Sequence, residues 1–389
     1  MDQDRFDRLA RVLGRPASRR ASVLGAIGTA LGLVAAPAAD AARKATRRHE
    51  KLACRNANSQ CISDDDCCSN RCVPKFGGTE FRCAKRHAKK KHGGHGGANP
   101  PAPLNCTVCA DGCPYATIEE AVVAEPAGSV ITIAPGTYNP PSTKSGAFIE
   151  VNHELSLVAC DPQDRPIIET VTNRGDHSVI YVHNPNYEAD PFDVLIDGII
   201  FRDGTDVAAI STTFALDFTM RNCTVEGFQM LNLPVAYFQN IGSVLVDDCT
   251  FTDNVSEYPE TAVIRHYTIT PTIMEIRNSI ITNNTSNGLN GGAVVGSVDS
   301  SLTLTGNTVV RGNTSTNQSD CAGLYISNGV LTLDASVDVS ENTSAGVGAG
   351  VCINTGGSLV GGNASTVHDN HGSSCPNIYN LATTTCVLA

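Results

Sequence analysis

Ser279-Ile-Ile-Thr-Asn-Asn284 returns 29 residues later as Thr308-Val-Val-Arg-Gly-Asn313, and similar phrases recur through the second half of the chain. The closing asparagine stands at five positions with spacings of 28 to 30 residues: Asn254, Asn284, Asn313, Asn342 and Asn370. A repeat of this length is typical of a solenoid, in which each coil buries its apolar face only by stacking on its neighbours. The repeat therefore predicts an architecture, and it predicts no reaction.

The residues before each asparagine alternate in character. The third and fifth residues before it are small or apolar, as in Phe251 and Cys249 before Asn254. This period of two predicts side chains that point into the column. Strands of successive coils lie ~4.8 Å apart in a sheet, so we expect the asparagines to stack into an amide ladder at a turn, where Asn also tolerates the left-handed conformation. Two earlier phrases carry Gly204 and Phe228 in place of the asparagine.

The start of the repeat region has its own signature. Thr117 and Glu120 form a capping box for a short helix over Ile118–Ala124, and a strand with a Pro-Gly-x-Tyr turn follows up to Tyr138. These features resemble the pectate-lyase-like superfamily, and the later phrases resemble the general parallel β-helix repeat. The resemblance implies an all-β fold over residues 104–389, namely a right-handed single-stranded parallel β-helix with a short N-terminal capping helix.

Charge is divided unevenly along the chain. The formal net charge is -11. Residues 1–103 contain 20 Lys and Arg against 9 Asp and Glu, whereas residues 104–389 contain 8 against 30. An acidic body with a basic leader argues against nucleic acid as the main partner. Acidic carbohydrate stays open, through calcium or local arginine clusters.

Residues 1–41 read as an export signal. Arg19 and Arg20 precede an apolar run rich in Ala and Gly, and Ala39-Asp40-Ala41 offers a cleavage site. The segment resembles a twin-arginine signal, although Ser22 stands where that family usually has Phe. A general secretory signal is one alternative, and an uncleaved anchor is another, although the apolar run is shorter than the ~20 residues that a membrane span needs. We therefore expect an exported protein, extracellular or on the cell surface, with no membrane span in the mature chain.

Residues 54–83 contain six cysteines and too few apolar residues to fold without cross-links. Six cysteines allow fifteen pairings. The adjacent Cys67 and Cys68 resemble the inhibitor cystine knot family and, more loosely, Dickkopf-like proteins. The resemblance implies a knottin-like module with the pairs Cys54–Cys68, Cys61–Cys72 and Cys67–Cys83. Residues 84–103, rich in Lys, Gly, His and Pro, read as a flexible basic linker.

The remaining cysteines belong to the repeat region. We expect Cys375 to pair with Cys386 at the tail. Two bridges among Cys106, Cys109, Cys113 and Cys160 would pin the N-terminal cap, with a zinc site as the alternative. Cys223 and Cys249 occupy the same position in adjacent coils, where we favour unbridged thiols over a disulfide.

Chemistry could lie where charged residues stack. Asp197, Arg221, Asp247 and Arg277 share one position in four successive coils, which predicts either an ion-pair ladder or a saccharide-binding strip. Weak catalytic candidates are Asp247, Asp248, Arg221, Arg277, Arg265 and His266, with Asp217, Glu226 and Asp253 in a wider set. His266 reads as a surface strand residue. No diagnostic lyase or hydrolase motif is present, so whether the chain is an enzyme stays open.

These observations favour a non-catalytic surface or extracellular protein that binds a polysaccharide or another cell-envelope component. The first alternative is a lyase or hydrolase acting on acidic polysaccharide, and the second is a structural spacer that presents the cysteine module. We expect no cofactor and no metal, except calcium in the case of a lyase. An exposed row of aromatic residues or asparagines would favour a binder. A groove on the sheet face with three or more clustered carboxylates and arginine would favour an enzyme, and ladders of Thr and Ser with no concavity would favour a spacer.

Overall fold

The computed structural model describes residues 106–139, 147–170, 177–184, 192–215, 217–231, 233–258, 261–287, 293–316, 321–380 and 385–386, with the backbone of 72–74 and 81–83. The chain divides into two units, Met1–Gly97 and Ala98–Ala389. In the first unit, β1 (Cys72–Pro74) pairs antiparallel with β2 (Phe81–Cys83). The export signal, the linker and the three expected disulfides of the cysteine module lie outside the described residues.

The second unit is a parallel β-solenoid with three long sheets and one short sheet. Following one coil along the chain, we name them sheets I, II, III and IV. Sheet I has nine strands: β3 (Ser129–Ile133), β6 (Leu155–Ala159), β9 (Val194–Asp197), β12 (Asp217–Arg221), β16 (Ser243–Asp247), β20 (Ile273–Arg277), β24 (Ser301–Thr305), β28 (Val330–Leu333) and β32 (Ser358–Gly361).

Sheets II and III follow sheet I around the coil. Sheet II has nine strands: β4 (Thr137–Tyr138), β7 (Ile167–Glu169), β10 (Ile200–Arg202), β13 (Thr224–Glu226), β17 (Thr250–Thr252), β21 (Ile280–Thr282), β25 (Val309–Arg311), β29 (Asp338–Ser340) and β33 (Val367–His368). Sheet III has five short strands: β14 (Gln229–Met230), β18 (Val255–Ser256), β22 (Thr285–Ser286), β26 (Thr314–Ser315) and β30 (Thr343–Ser344).

Sheet IV completes the coil. Its ten strands are β5 (Ile149–Val151), β8 (His177–His183), β11 (Val207–Thr213), β15 (Ala236–Gln239), β19 (Thr261–Tyr267), β23 (Ala293–Val298), β27 (Leu324–Ser327), β31 (Val351–Ile353), β34 (Ile378–Asn380) and β35 (Thr385–Cys386). Only the last pair, β34 with β35, is antiparallel. Successive coils pair in sheets I, II and IV, and five of them also pair in sheet III, so the all-β, single-stranded parallel β-helix architecture is confirmed.

The single helix among the described residues, α1 (Ile118–Ala124), covers the first coils. The Thr117 hydroxyl accepts a hydrogen bond from the Glu120 amide at 3.1 Å, and the Glu120 carboxylate accepts one from the Thr117 amide at 3.3 Å. This capping box satisfies two amides that the first turn would leave without a partner. The helix buries Ile118, Ala121 and Val122, and the predicted capping helix is confirmed at the predicted residues.

The core is a continuous apolar column. Phe201, Val225, Phe251, Ile281 and Val310 are all fully buried, one above another in sheet II. The predicted inward alternation is therefore confirmed in these coils. It is wrong in the last coil, where Ser365 is exposed and Thr366 is buried. The cause is local: the amides of Thr366 and Val367 both bond to the Asn363 carbonyl, which forms a turn in place of the usual corner.

The left-handed corner lies one residue before the expected position. Asp253, Asn283 and Glu341 have positive φ values of 56°, 57° and 55°, and Gly312 has 65°. The asparagine that follows each of them is not among the residues with positive φ. Our expectation that the ladder asparagine itself takes the left-handed conformation is wrong. The preceding residue makes the turn, and this directs the asparagine side chain into the column.

Candidate functional site

The asparagine ladder lies inside the column. Asn254, Asn284, Asn313 and Asn342 are fully buried, and Asn370 is 4% exposed. The Asn313 Oδ1 accepts from both the amide and the Nδ2 of Asn284, at 3.0 Å each. The Asn313 Nδ2 donates to the Ile281 carbonyl at 2.9 Å and to the Asn342 Oδ1 at 2.9 Å. Because every side-chain group has a protein partner, the ladder satisfies buried backbone and binds no ligand.

The ladder has a distinct start and end. At its start, the Asn254 Oδ1 accepts from the Phe228 amide at 3.1 Å. At its end, the Asn370 Nδ2 donates to Asn377 Oδ1 at 3.2 Å. Asn377 is a rung that the repeat did not reveal, because it follows Asn370 by seven residues instead of a full coil.

The four charged residues stacked on sheet I form two ion pairs. Arg221 pairs with Asp197 at 2.8 Å and Arg277 pairs with Asp247 at 2.8 Å. Each carboxylate also accepts from an asparagine: Asn222 Nδ2 bonds Asp197 Oδ1 at 2.8 Å, and Asn278 Nδ2 bonds Asp247 Oδ1 at 3.1 Å. The bond from Arg277 holds the pKa of Asp247 below its usual range. This arrangement is the ion-pair ladder, with its carboxylates fully engaged.

The other acidic candidates are spread over the surface. Asp248 lies at a corner with φ of 51°, and partial burial raises its pKa. Glu226 pairs with Arg202 at 2.7 Å on sheet II. Asp253 is exposed at a corner, where it accepts from Thr252 at 3.1 Å. The structure thus distributes these residues over two sheets and their corners instead of gathering them into one catalytic cluster.

The outer face of sheet I has a shallow depression of about 360 Å³. Asp217, Asp193, Glu154 and Arg221 line it together with strand residues of β6, β9 and β12. Asp217 accepts from the Ser243 hydroxyl at 2.5 Å, and Arg221 is held by Asp197. Within the described ranges, no group of three or more His, Cys, Asp or Glu residues is placed to hold a metal ion.

His266 lies inside the column, so its assignment to the surface is wrong. It shares the inward row of sheet IV with Phe238 and Ser297, and it is fully buried. Its Nδ1 lies 3.4 Å from the Ser297 hydroxyl and its Nε2 lies 3.3 Å from the Thr272 hydroxyl. Burial lowers the pKa of His266 from 6.5 to about 4. The neutral imidazole of His266 lies between two hydroxyls in the core, so it cannot contact a polysaccharide bound at the surface.

Arg265, the neighbour of His266, points to the opposite side of sheet IV. Its guanidinium carbon lies 5.7 Å from the ring centroid of Tyr237, 5.2 Å from that of Tyr258 and 5.7 Å from that of Tyr267. The side chain is buried under these rings, and the whole residue is 5% exposed. Attraction between a guanidinium and the ring faces holds such a group together. Arg265 therefore fixes three tyrosines on one face.

The same outer row of sheet IV carries a further aromatic residue. Tyr181 and Tyr237 both pair in register with Ser211, so they stand one rung to either side of it. Tyr181 stacks on His183, with ring centroids 5.5 Å apart and an angle of 7° between the planes. We call the set Tyr181, His183, Tyr237, Tyr258, Arg265 and Tyr267 the tyrosine face. Its tyrosines and His183 are all half-buried.

Sequence reasoning named Arg265 and missed the tyrosines around it. The outer row continues from Arg265 to Gly296, Tyr325 and Cys352. These residues follow their ladder asparagines by 11, 12, 12 and 10 residues. Since the segment that leads into sheet IV varies in length from coil to coil, a count from the asparagine does not align the row. Only the pairing of the strands reveals it.

Four disulfides join described cysteines. They are Cys106–Cys160, Cys109–Cys113, Cys321–Cys352 and Cys375–Cys386. The first two engage all four cysteines of the N-terminal cap, in the arrangement that the sequence favoured over a zinc site. Cys321–Cys352 was not anticipated. Cys223 and Cys249 are buried free thiols in adjacent coils.

Comparison with protein-family models, with curated proteins and with solved structures finds no match to this chain. The site must therefore be interpreted from its own geometry. Among the helices of the described ranges, none has the length and apolar character needed to cross a bilayer.

Proposed function

We propose that the protein is an exported, non-catalytic binder of polysaccharide or another cell-envelope component, and that the tyrosine face of sheet IV is its binding surface. One observation carries this proposal: Arg265 packs against the rings of Tyr237, Tyr258 and Tyr267 on the outside of the column. Half-buried tyrosines offer a flat apolar ring together with a polar hydroxyl. Sugars present the same combination, with apolar C–H faces and polar hydroxyl edges.

Two further features support the proposal. The rings are held before any ligand arrives, which reduces the ordering cost of binding. The four disulfides of the solenoid fit an oxidising compartment outside the cytoplasm. We propose export on these grounds together with the leader sequence. We also propose that the solenoid is right-handed and similar to the pectate-lyase-like β-helices.

A second candidate function has a separate location. The depression on sheet I brings Glu154, Asp193 and Asp217 close to Arg221. Hydrolases use carboxylate pairs on a sugar, and a lyase would add calcium. The ion pair from Arg221 to Asp197 leaves this alternative weaker, because the basic group is already engaged.

The test is a retention screen of the full chain on insoluble polysaccharides with calcium present. We expect the wild-type protein to be retained without release of unsaturated products or new reducing ends. Tyr237→Ala should weaken retention, because it removes a ring at the centre of the face. Tyr379→Ala is the matched control, since Tyr379 lies in the same row five rungs away. Release of products would favour the lyase or hydrolase. If neither the wild-type protein nor the variants are retained, the structural spacer would be favoured.

A further inference from the structure

We propose that the ligand of the tyrosine face is a neutral, linear β-1,4-linked polysaccharide whose chain runs along the column axis, with alternate sugar rings on Tyr181 and Tyr237. This inference rests on the proposed function, and it adds the class of sugar and the direction of the chain.

The spacing of the two tyrosines carries the first step. Ser211 pairs with Tyr181 on one side and with Tyr237 on the other. Strands in a sheet are ~4.8 Å apart, so the two tyrosine positions lie ~9.6 Å apart along the axis. An extended β-1,4-linked disaccharide has close to this length, and its alternate rings present equivalent faces. A chain laid along the axis therefore repeats in phase with the two tyrosines.

The residue between the two rings carries the second step. Ser211 is small, and Thr213 lies two residues further along the same side of β11. The row therefore alternates a ring, a short hydroxyl side chain and a ring. The intermediate sugar lies over Ser211, whose hydroxyl can exchange hydrogen bonds with it. A chain running parallel to the strands would meet only one of the two tyrosines.

Both rings are already held in place. Tyr181 lies parallel to His183 at 5.5 Å, and Tyr237 lies against the guanidinium of Arg265 at 5.7 Å. Arg265 is a positioning residue in this arrangement, because the rings cover it and it is 5% exposed.

Charge selects against a polyanion. Residues 104–389 contain 30 Asp and Glu against 8 Lys and Arg. A body with this excess of negative charge repels a polymer that carries a carboxylate or sulfate on each unit. A neutral polymer is free of this penalty, and its binding should depend little on salt.

The experiment is calorimetric titration of the full chain with β-1,4-linked N-acetylglucosamine oligomers, from disaccharide to hexasaccharide. We expect affinity to rise about tenfold once the oligomer is long enough to reach both rings, which corresponds to ~1.4 kcal/mol from the second ring. Tyr181→Ala and Tyr237→Ala should each abolish this rise and leave the affinity for the disaccharide nearly unchanged. Tyr379→Ala should retain the full rise, and circular dichroism should show that all variants are folded.

The outcomes separate this inference from the proposed function. If the wild-type protein is retained on a polysaccharide in the screen but the oligomers do not bind, or bind with no dependence on length, the assigned sugar and orientation are overturned and the binder stands. The same holds if only one of the two tyrosines matters for the long oligomers. If the wild-type protein is retained on none of the polysaccharides in the screen, the proposed function itself fails.

Discussion

A single residue type controls the interior of this column. Each ladder asparagine hydrogen-bonds backbone groups that the corner would otherwise leave without a partner. Its side chain also donates a hydrogen bond to the next rung of the ladder. An aspartate could accept as well but could not donate, and its charge would be buried without a counter-ion. This explains why the position keeps an amide while the residues around it vary.

Replacement of one rung tests the energetic role of the ladder. Asn313→Ala removes the acceptor for two donors of Asn284 and the donor to the Ile281 carbonyl. Since a buried polar group without a partner costs ~1–3 kcal/mol, we expect a loss of about 3 kcal/mol in the free energy of unfolding, measured by urea denaturation. The matched control is Asn307→Ala at an exposed position, where a change below ~0.5 kcal/mol is expected. Equal effects would contradict the assignment.

His266 predicts a dependence of stability on pH. Its pKa is about 4 in the folded chain and 6.5 in the reference state. Between these values the unfolded chain binds more protons, so stability falls as pH decreases from 6.5 to 4 and is not lowered further below 4 by this group. The loss contributed by His266 should reach up to ~3 kcal/mol.

The measurement compares urea denaturation of wild type with His266→Gln at several pH values. Glutamine keeps a polar side chain but has no proton to gain, so the difference in stability between the two proteins should narrow as pH decreases through this window. A difference that stays constant from pH 7 to pH 4 would show that His266 does not titrate as its burial indicates.

At the scale of the element, contact between coils explains the two phrases that lack asparagine. A Cβ added at Gly204 would lie 2.2 Å from Phe228 Cε1 and 3.0 Å from the Val207 carbonyl oxygen. The Phe228 ring, fully buried, therefore occupies the space that a side chain at residue 204 would need. Glycine and phenylalanine together fill the corner before the ladder begins.

This contact gives a paired prediction. Gly204→Ala should destabilise the fold by ~1–3 kcal/mol through overpacking, as measured by thermal and chemical denaturation. Adding Phe228→Leu to Gly204→Ala should restore part of the loss, because the shorter side chain vacates the ring position. If the double variant is as unstable as the sum of the single ones, the two residues do not act on each other.

The elements also show what the sequence could and could not predict. The strands of sheets I to III lie at nearly constant sequence distances from the ladder asparagine of their coil. The inward rows and the ion pairs on sheet I were therefore predictable. Sheet IV was not, because the segments before it differ in length. His266 illustrates the consequence. Ile264 and His266 share the inward side of β19, but without the register of that strand, a charged neighbour such as Arg265 suggested a surface.

At the scale of the whole molecule, the solenoid is a stack of nearly equivalent coils, and its stability is close to a sum of coils and the interfaces between them. Asn284 and Asn313 occupy equivalent positions on neighbouring rungs, 29 residues apart. The architecture should therefore tolerate the removal of a whole coil far better than the removal of part of one.

Deletion of residues 285–313 joins Asn284 to Thr314 and removes one complete coil. We expect a folded protein with β-sheet circular dichroism and a cooperative, somewhat less stable unfolding transition. Deletion of residues 285–299 is the control, since it removes about half a coil and breaks the register of every later sheet. The stacked-coil architecture would be contradicted if the complete-coil deletion unfolded and the partial one did not.

The covalent bonds of the solenoid stand at its two ends. Cys106–Cys160 links the first coils, Cys321–Cys352 and Cys375–Cys386 link the last ones, and the coils between them contain only the buried thiols Cys223 and Cys249. A stack of coils ordinarily peels from its tips, where each unit has one neighbour instead of two. Because disulfides link the coils at both ends, unfolding has to begin in the middle coils. Reduction of these disulfides should therefore replace a slow internal unfolding step with rapid unfolding from the two ends.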